Sequence, residues 1–317
     1  MIRAWVADGS GVREADPKAA IASAVAGGAH AWVDFDCEEA EAVDPLLDPL
    51  GVHPLVLEDM VMHVNRPKVD NYGAYLYLVV HSARWEAERP TLREIDVVLG
   101  ERILITYHDG STRSIVAAHE ALARRPELLA NGPSHLLHFV LDVMVDLYLP
   151  IMDGITERID ALSEQVLGGG ARDLPADVVK LKRGMAALRR IVGPERDTIL
   201  ALTRDEFRGI PADMRPYLRD VYDRIARVSD LLDSFRDEAA SLLEIHVSQT
   251  SNRLNEIIKR LTVIATVGLP LTVITSYYGM NFALPEYRWP HGGLYVLGLL
   301  ALSAGVTYAV LRWKRWN

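Results

Sequence analysis

Apolar positions change their spacing three times along the chain. Up to about residue 125, short runs rich in Val, Ile and Tyr alternate with turn residues, and Ile2–Val6, Ala31–Phe35, Ala74–His81, Glu94–Leu99 and Ile103–Tyr107 are the candidate strands. Asp36 is placed to cap a helix over Glu38 to Leu50, Pro54–Met60 predicts a short helical turn, and Ser114–Arg125 predicts a further helix. From Ser134 the period becomes helical. Leu136, Leu137, Val140, Leu141, Met144, Leu147 and Tyr148 recur at steps of three and four, and the pattern runs through Ile151, Ile155, Ile159 and Leu162 to a stop at Gly168-Gly169-Gly170. That spacing predicts one long helix. After Pro175, Val178, Leu181, Met185, Leu188 and Ile191 mark a second, and the short connection predicts an antiparallel helical hairpin.

Pro211 and Pro216 open the longest element. Between Tyr217 and Arg260 there is neither Gly nor Pro, and Leu218, Val221, Ile225, Val228, Leu232, Phe235, Ala239 and Leu242 form a heptad-like seam. No breaker precedes Leu261, so one helix of ~60 residues and ~90 Å is expected to run on into the next segment. A helix that long wants partners, which several copies of the chain in a symmetric ring would supply. Ser248, Gln249, Thr250, Ser251, Asn252 and Asn255 then turn the seam polar, as a solvated neck or a wet pore entrance. Leu261–Asn281 carries no charge, and the uncharged run continues to Pro285, long enough to cross a bilayer core of about 30 Å. Gly292–Leu311 is a second such run. Pro270 removes one backbone hydrogen bond from the first span and permits a bend.

Charge orients this hairpin. From Lys259 onward six basic residues face Glu286 alone, which leaves −14 on the first 258 residues. Lys259 and Arg260 precede the hairpin and Arg312, Lys314 and Arg315 follow it, so the positive-inside rule puts both termini in the cytoplasm. Trp289, Tyr295, Trp313 and Trp316 fall where an interfacial aromatic belt would lie. The opening residues MIRAWVADGSG indicate no cleaved signal peptide, and the single Cys37 excludes intramolecular disulfides and Cys-based zinc clusters. The acidic soluble part argues against nucleic acid as a partner and suits a cation. No GxxxxGK phosphate loop is present, so neither ATP use, an organic cofactor nor an enzyme is expected. The spacing of His53, Glu58, Asp59 and His63 matches no metalloenzyme signature.

One face of the first span passes through Asn255, Ile258, Leu261 beside Thr262, Ala265, Leu269, Thr272, Ser276 and Gly279. It is small or hydroxylated in its outer half and apolar in its inner half. Such a face either packs closely against another helix or lines a pore, which two spans enclose only by oligomerising.

Tyr278-Gly279-Met280-Asn281-Phe282, followed by a short loop with Pro285-Glu286 and a final span, strongly resembles the CorA family of divalent-cation channels. Asn255-Glu256, Leu261-Thr262, Ile264-Ala265-Thr266 and Pro270-Leu271-Thr272 resemble its pore helix. Tyr217 to Asp223 resembles its stalk, and His53 to Asp59 with Arg66-Pro67-Lys68 resembles its cytoplasmic domain. The resemblance implies an α+β cytoplasmic domain, a long helical stalk and two transmembrane helices in a funnel-shaped homopentamer in the plasma (inner) membrane. The divisions expected are an N-terminal α/β domain over 1–125, a helical hairpin over 126–210, a stalk over 211–260, a pore-lining span over 261–281, an external loop over 282–291, a second span over 292–311 and a basic tail over 312–317.

The resemblance also implies roles. Gly279, Met280 and Asn281 would form the selectivity filter, where amide and backbone oxygens hold a hydrated Mg²⁺ through its waters and still release it. Thr272 would add a hydroxyl ring, Leu269, Leu261 and Ile258 a dewetting constriction, and Asn255 the cytoplasmic exit, with Ala265 and Ser276 completing the lining. Family members often carry Met at two of the gate positions, where Leu269 and Ile258 stand here. Glu286, in Leu-Pro-Glu where Met-Pro-Glu is common, would attract cations. Asp220 would bind regulatory Mg²⁺ across a subunit interface with Glu86 or Glu88. The expected activity is Mg²⁺ influx down its electrochemical gradient, with Co²⁺ and Ni²⁺ as secondary ions and closure by intracellular Mg²⁺. A divalent ion gains about 4.6 kcal/mol in 100 mV, so no other energy source is needed. Alternatives are a zinc transporter of the related ZntB type, disfavoured because no His or Cys lies in the pore face, and a membrane-tethered cation sensor that conducts nothing.

Overall fold

The five candidate strands join two further short strands in one seven-stranded sheet. In chain order the elements are β1 (Ile2–Asp8), β2 (Gly11–Glu14), α1 (Pro17–Val25), β3 (His30–Asp36), α2 (Ala40–Leu47), α3 (Pro54–Met62), β4 (Lys68–Asn71), β5 (Tyr75–Glu86), β6 (Arg89–Gly100) and β7 (Ile103–His108). There follow α4 (Arg113–Arg124), α5 (Glu127–Ala130), α6 (Pro133–Asp146), α7 (Leu149–Leu167), α8 (Leu174–Arg204), α9 (Arg215–Tyr278) and α10 (Gly292–Trp313). The computed structural model describes every residue except 37–39, 63–64, 87–88, 111, 169–172, 205, 282–283 and 315–317. Cys37, Glu38, His63, Glu88, Gly169-Gly170, Phe282, Arg315 and Trp316, all singled out above, therefore lie outside the described residues.

The sheet runs β2-β1-β3-β7-β6-β5-β4, with β3 parallel to β7 and the other pairs antiparallel. Both faces are covered. On one, Ile21, Leu47, Val56 and Met60 of α1 to α3 pack with Val33, Phe35, Tyr77, Val79 and Ile105. On the other, Trp32, Leu78, Val80, Val97 and Leu104 join a core contributed by α4 through α9. A strand buried on both faces needs no polar alternation, which is why β5 is buried without interruption from Tyr75 to Ala83.

Two expectations change. The long helix expected from Ser134 is two, α6 and α7, separated at Leu147-Tyr148. Pro150 stands in the first turn of α7 and has no N–H to offer the Asp146 carbonyl, so the ladder restarts there. The break turns Tyr148 inward, where its hydroxyl donates to Glu195 Oε2 at 2.6 Å and lies 3.0 Å from the His81 carbonyl. Glu195 Oε1 accepts the His81 N–H at 2.8 Å. Since β4 pairs with β5 only as far as Lys68 opposite Val79, Glu195 and Tyr148 satisfy the strand beyond β4.

The second change concerns the seam of α9. Leu218, Val221, Ile225, Val228, Leu232, Phe235, Ala239 and Leu242 are all buried, within the core of their own chain. The seam needs no second copy.

The chain divides into two compact units, Met1–Leu243 and Glu244–Asn317. The second holds the rest of α9, one short 3₁₀ turn (Pro285–Arg288) and α10. Among the described residues three stretches have the length and composition to cross a membrane, 133–167, 212–278 and 292–313; the apolar window of the first is half buried within the protein, whereas those of the other two are unburied.

Candidate functional site

The second unit has its apolar side chains outward. Leu261 is 65% and Leu269 70% exposed, and of the face drawn from the sequence Asn255, Ile258, Leu261, Ala265, Leu269, Thr272 and Ser276 are exposed on α9, while Thr262 is half-buried. Val263, Val267, Pro270, Leu271, Ile274 and Tyr278 are partly covered instead. At about 100° per residue these two sets centre on opposite sides of the helix. Between Asn255 and Tyr278 one side of α9 is thus partly covered and the other mostly exposed.

Hydroxyls on this helix are turned back onto it. Thr272 Oγ1 donates to the Gly268 carbonyl at 3.0 Å and Thr262 Oγ1 to that of Ile258 at 2.8 Å. A hydroxyl that has spent its proton in this way offers only lone pairs outward, the polarity a cation requires.

α9 runs through Pro270 and ends at Tyr278. Gly279 donates to the Thr275 carbonyl at 2.9 Å, Met280 N to that of Tyr277 at 3.4 Å, and the Tyr287 hydroxyl caps the Tyr278 carbonyl. A Cβ at Gly279 would lie 3.0 Å from Thr275 O, a tight contact. Asn281 follows, exposed, with no hydrogen-bond partner among the described residues. Glu286 lies in the 3₁₀ turn beyond, its Oε2 buried and without a hydrogen-bond partner among the described residues. Gly292, opening α10, sits so close that a Cβ would be 2.2 Å from Glu286 O.

Asp220 and Glu86 each have partners in their own chain. Asp220 Oδ2 is 3.2 Å from Arg224 Nη2, one turn along α9, and Arg224 also binds Asp142 and Asp146 of α6. Glu86, at the end of β5, pairs with Arg84 at 3.1 Å. The sequence singled out Asp220 but not Arg224, although the four-residue spacing signals the pair; Asp142 and Asp146 come from a distant helix and gave no local signal. Of the residues around His53, Asp59 is bound by Lys68 at 2.5 Å and His53 Nδ1 accepts the Leu55 N–H at 3.2 Å. Among the described residues no three His, Cys, Asp or Glu side chains gather as a metal site.

An α+β unit whose last helix continues into an apolar segment, followed in the chain by a second apolar helix, is the build of a protein with a membrane-embedded part. The family model described as CorA-like Mg²⁺ transporter protein matches residues 27–315, and the chain belongs to this CorA family. It is 32% identical over 290 residues to the cobalt/magnesium transport protein CorA of Thermotoga maritima, covering 90% of this chain and 83% of that protein. The Bacillus subtilis protein YfjQ is 33% identical over 271 residues, 85% of this chain and 84% of its own. The structure of the CorA magnesium transporter from Methanocaldococcus jannaschii superposes with a TM-score of 0.83 at 19% identity, over 100% of this chain and 99% of that one. The cytoplasmic domain of ZntB from Vibrio parahaemolyticus matches at 0.62 and 16% identity over 79% of this chain and 98% of its own, a likeness of fold alone. The protein is a divalent-cation transporter of the CorA family.

Proposed function

We propose that the chain conducts Mg²⁺ into the cytoplasm, with Co²⁺ and Ni²⁺ as secondary ions, through a homopentameric pore in the plasma membrane. Each copy crosses twice, by α9 from Leu261 and by α10, with both termini cytoplasmic. The observation that carries this reading is the free side of α9, which runs from Asn255 through Leu261, Leu269 and Thr272 to the unpartnered amide of Asn281. Brought together around an axis, five such faces make a path with an oxygen-lined mouth and an apolar waist. Gly279 and Asn281 supply neutral oxygens at the mouth, and neutral ligands bind hydrated Mg²⁺ weakly enough to pass it on. The relationship to a cobalt/magnesium transport protein at 32% identity supports the choice of ion. Glu286 draws cations toward the mouth. Mg²⁺ held between Asp220 and Glu86 or Glu88 of a neighbouring copy closes the pore.

The test is Mg²⁺ flux into liposomes under an inward potential. Asn281→Ala assembles as the parent does and its flux falls by about tenfold or more, the loss of a ring of ligands. Parental flux from an assembled Asn281→Ala channel would remove the filter assignment.

A further inference from the structure

The soluble unit contains a cavity of about 460 Å³ between β5, β6 and the starts of α4 and α7, a size that suits a small organic ligand. Its wall is basic. Arg84, Arg93 and Arg113 line it against the single carboxylate of Glu86. The β5–β6 register sets Ser82 opposite Arg93 and Arg84 opposite Thr91. Arg84 Nε meets Glu86 Oε1 at 3.1 Å, and Arg93 Nη1 donates to the Asp109 carbonyl at 3.0 Å and lies 3.5 Å from its carboxylate. Arg113 has no partner among the described residues.

The helix that opens into this cavity is set up in an unusual way. α4 begins with Arg113 and has no acidic residue in its first turn, so a cation stands at the positive end of the helix dipole. Thr112 occupies the N-cap with extended backbone yet makes no capping bond. It is 2% exposed, and its Oγ1 is buried with no partner among the described residues, although it lines the cavity. A buried hydroxyl without a partner is costly, and here it adjoins the first-turn N–H groups that a helix leaves unused. An oxyanion resolves all three oddities together: it accepts from Thr112 and the free N–H groups, and it neutralises Arg113. The cavity exceeds one phosphate in size, and Trp85 in its wall offers an aromatic surface beyond the charged end.

We propose that this cavity binds a nucleoside di- or triphosphate, with Thr112, Arg113 and the α4 N-terminus on the phosphate chain, Arg93 and Arg84 flanking it, and Trp85 against the base. Binding involves no hydrolysis and uses none of the residues proposed to line the pore, although Glu86 of its wall is also proposed to hold the regulatory Mg²⁺, so it is measured with metal absent.

Calorimetric titration of the purified full chain in detergent, with chelator and low salt, decides the matter. ATP and ADP bind, pyrophosphate binds more weakly, and adenosine gives no signal. Arg113→Gln, at an exposed position, weakens ATP about tenfold, the loss of one charge-assisted contact, and Thr112→Val weakens it about fivefold, the loss of one hydrogen bond. The proposal is overturned if the parent gives no heat with millimolar ATP or ADP, if both variants bind ATP as the parent does, or if adenosine binds as tightly as ATP. Pyrophosphate equal to ATP overturns the nucleoside assignment.

Discussion

Glu195 shows what single residues contribute to this fold. Burial pushes its carboxyl up to about 7, against the hydrogen bonds from Tyr148 and the His81 N–H that favour the ionised form. Because the folded value is raised, the stability it contributes is complete below about 4.5 and is lost as pH rises through about 7. Burial also pushes the His81 imidazole down to about 4, and its contribution has the opposite sense, complete above about 6.5 and lost as pH falls toward 4. The parent's own pH curve therefore mixes the two, while its difference from Glu195→Gln isolates the carboxyl. The amide fits, since Tyr148 can donate to the His81 carbonyl and accept from the new NH₂ group. Glu195→Gln matches the parent near pH 4.5 and exceeds it by about 3 kcal/mol at pH 8, read from unfolding midpoints; a difference that does not vary with pH would contradict this account. Gly292 is a steric counterpart. A methyl group there meets the Glu286 carbonyl at 2.2 Å, and Gly292→Ala lowers the midpoint of the assembled protein by several degrees, whereas an unchanged midpoint would mean the loop yields freely. The two residues differ in legibility. The Gly-Met-Asn tripeptide, proposed as the filter, is singled out by its family resemblance at the end of an uncharged run, but Glu195 looks like any helical glutamate, because only tertiary contact with a strand edge over 110 residues earlier makes it special.

At the level of elements, the central strands and long helices were legible and the rim was not. β2 and β4, absent from the sequence reading, are four-residue strands at the two ends of the sheet. Edge strands are short and polar because one side of each must face water without pairing, which removes the apolar signal. α1 carries its own local signal, since Asp16 Oδ1 caps Ala19 at 3.1 Å and Pro17 takes the first helical position. The seam of α9 was read correctly in every position but given the wrong partner, because periodicity reports that a face is covered and not by what. Where the seam ends, the free side of α9 begins. Its two leucines carry a prediction: Leu269→Ser or Leu261→Ser wets the proposed waist and raises Mg²⁺ leak through the closed channel several-fold, since dewetting there depends on apolar side chains. Leak equal to the parent's at high internal Mg²⁺ would move the gate elsewhere.

At the scale of the whole molecule, the arrangement of copies around a pore rests on the free side of α9 and on kinship, because periodicity in one chain carries no count of its partners. The sensor proposed for Asp220 is an assembly property too. Arg224 already holds Asp220, Asp142 and Asp146, so Mg²⁺ at Asp220 competes with an internal guanidinium. Asp220→Ala raises the Mg²⁺ concentration that half-inhibits flux several-fold, and Asp220→Lys holds the closed state with less Mg²⁺. Inhibition of Asp220→Ala at the parental concentration would take Asp220 out of the sensor.

The order of the sheet along the chain also governs how the protein is made. Its last strand, β7, ends at His108, about 150 residues before the uncharged run opens at Leu261. At about 5–20 residues per second, a ribosome needs about 8 to 30 seconds to cover that distance. The parallel β3–β7 pairing, the slowest kind to form, thus has this interval to close before any hydrophobic span emerges. A mutation that delays the sheet would bring an unfolded acidic domain and a membrane anchor to the translocation machinery together. Its damage would appear as lost insertion although no residue in the bilayer had changed.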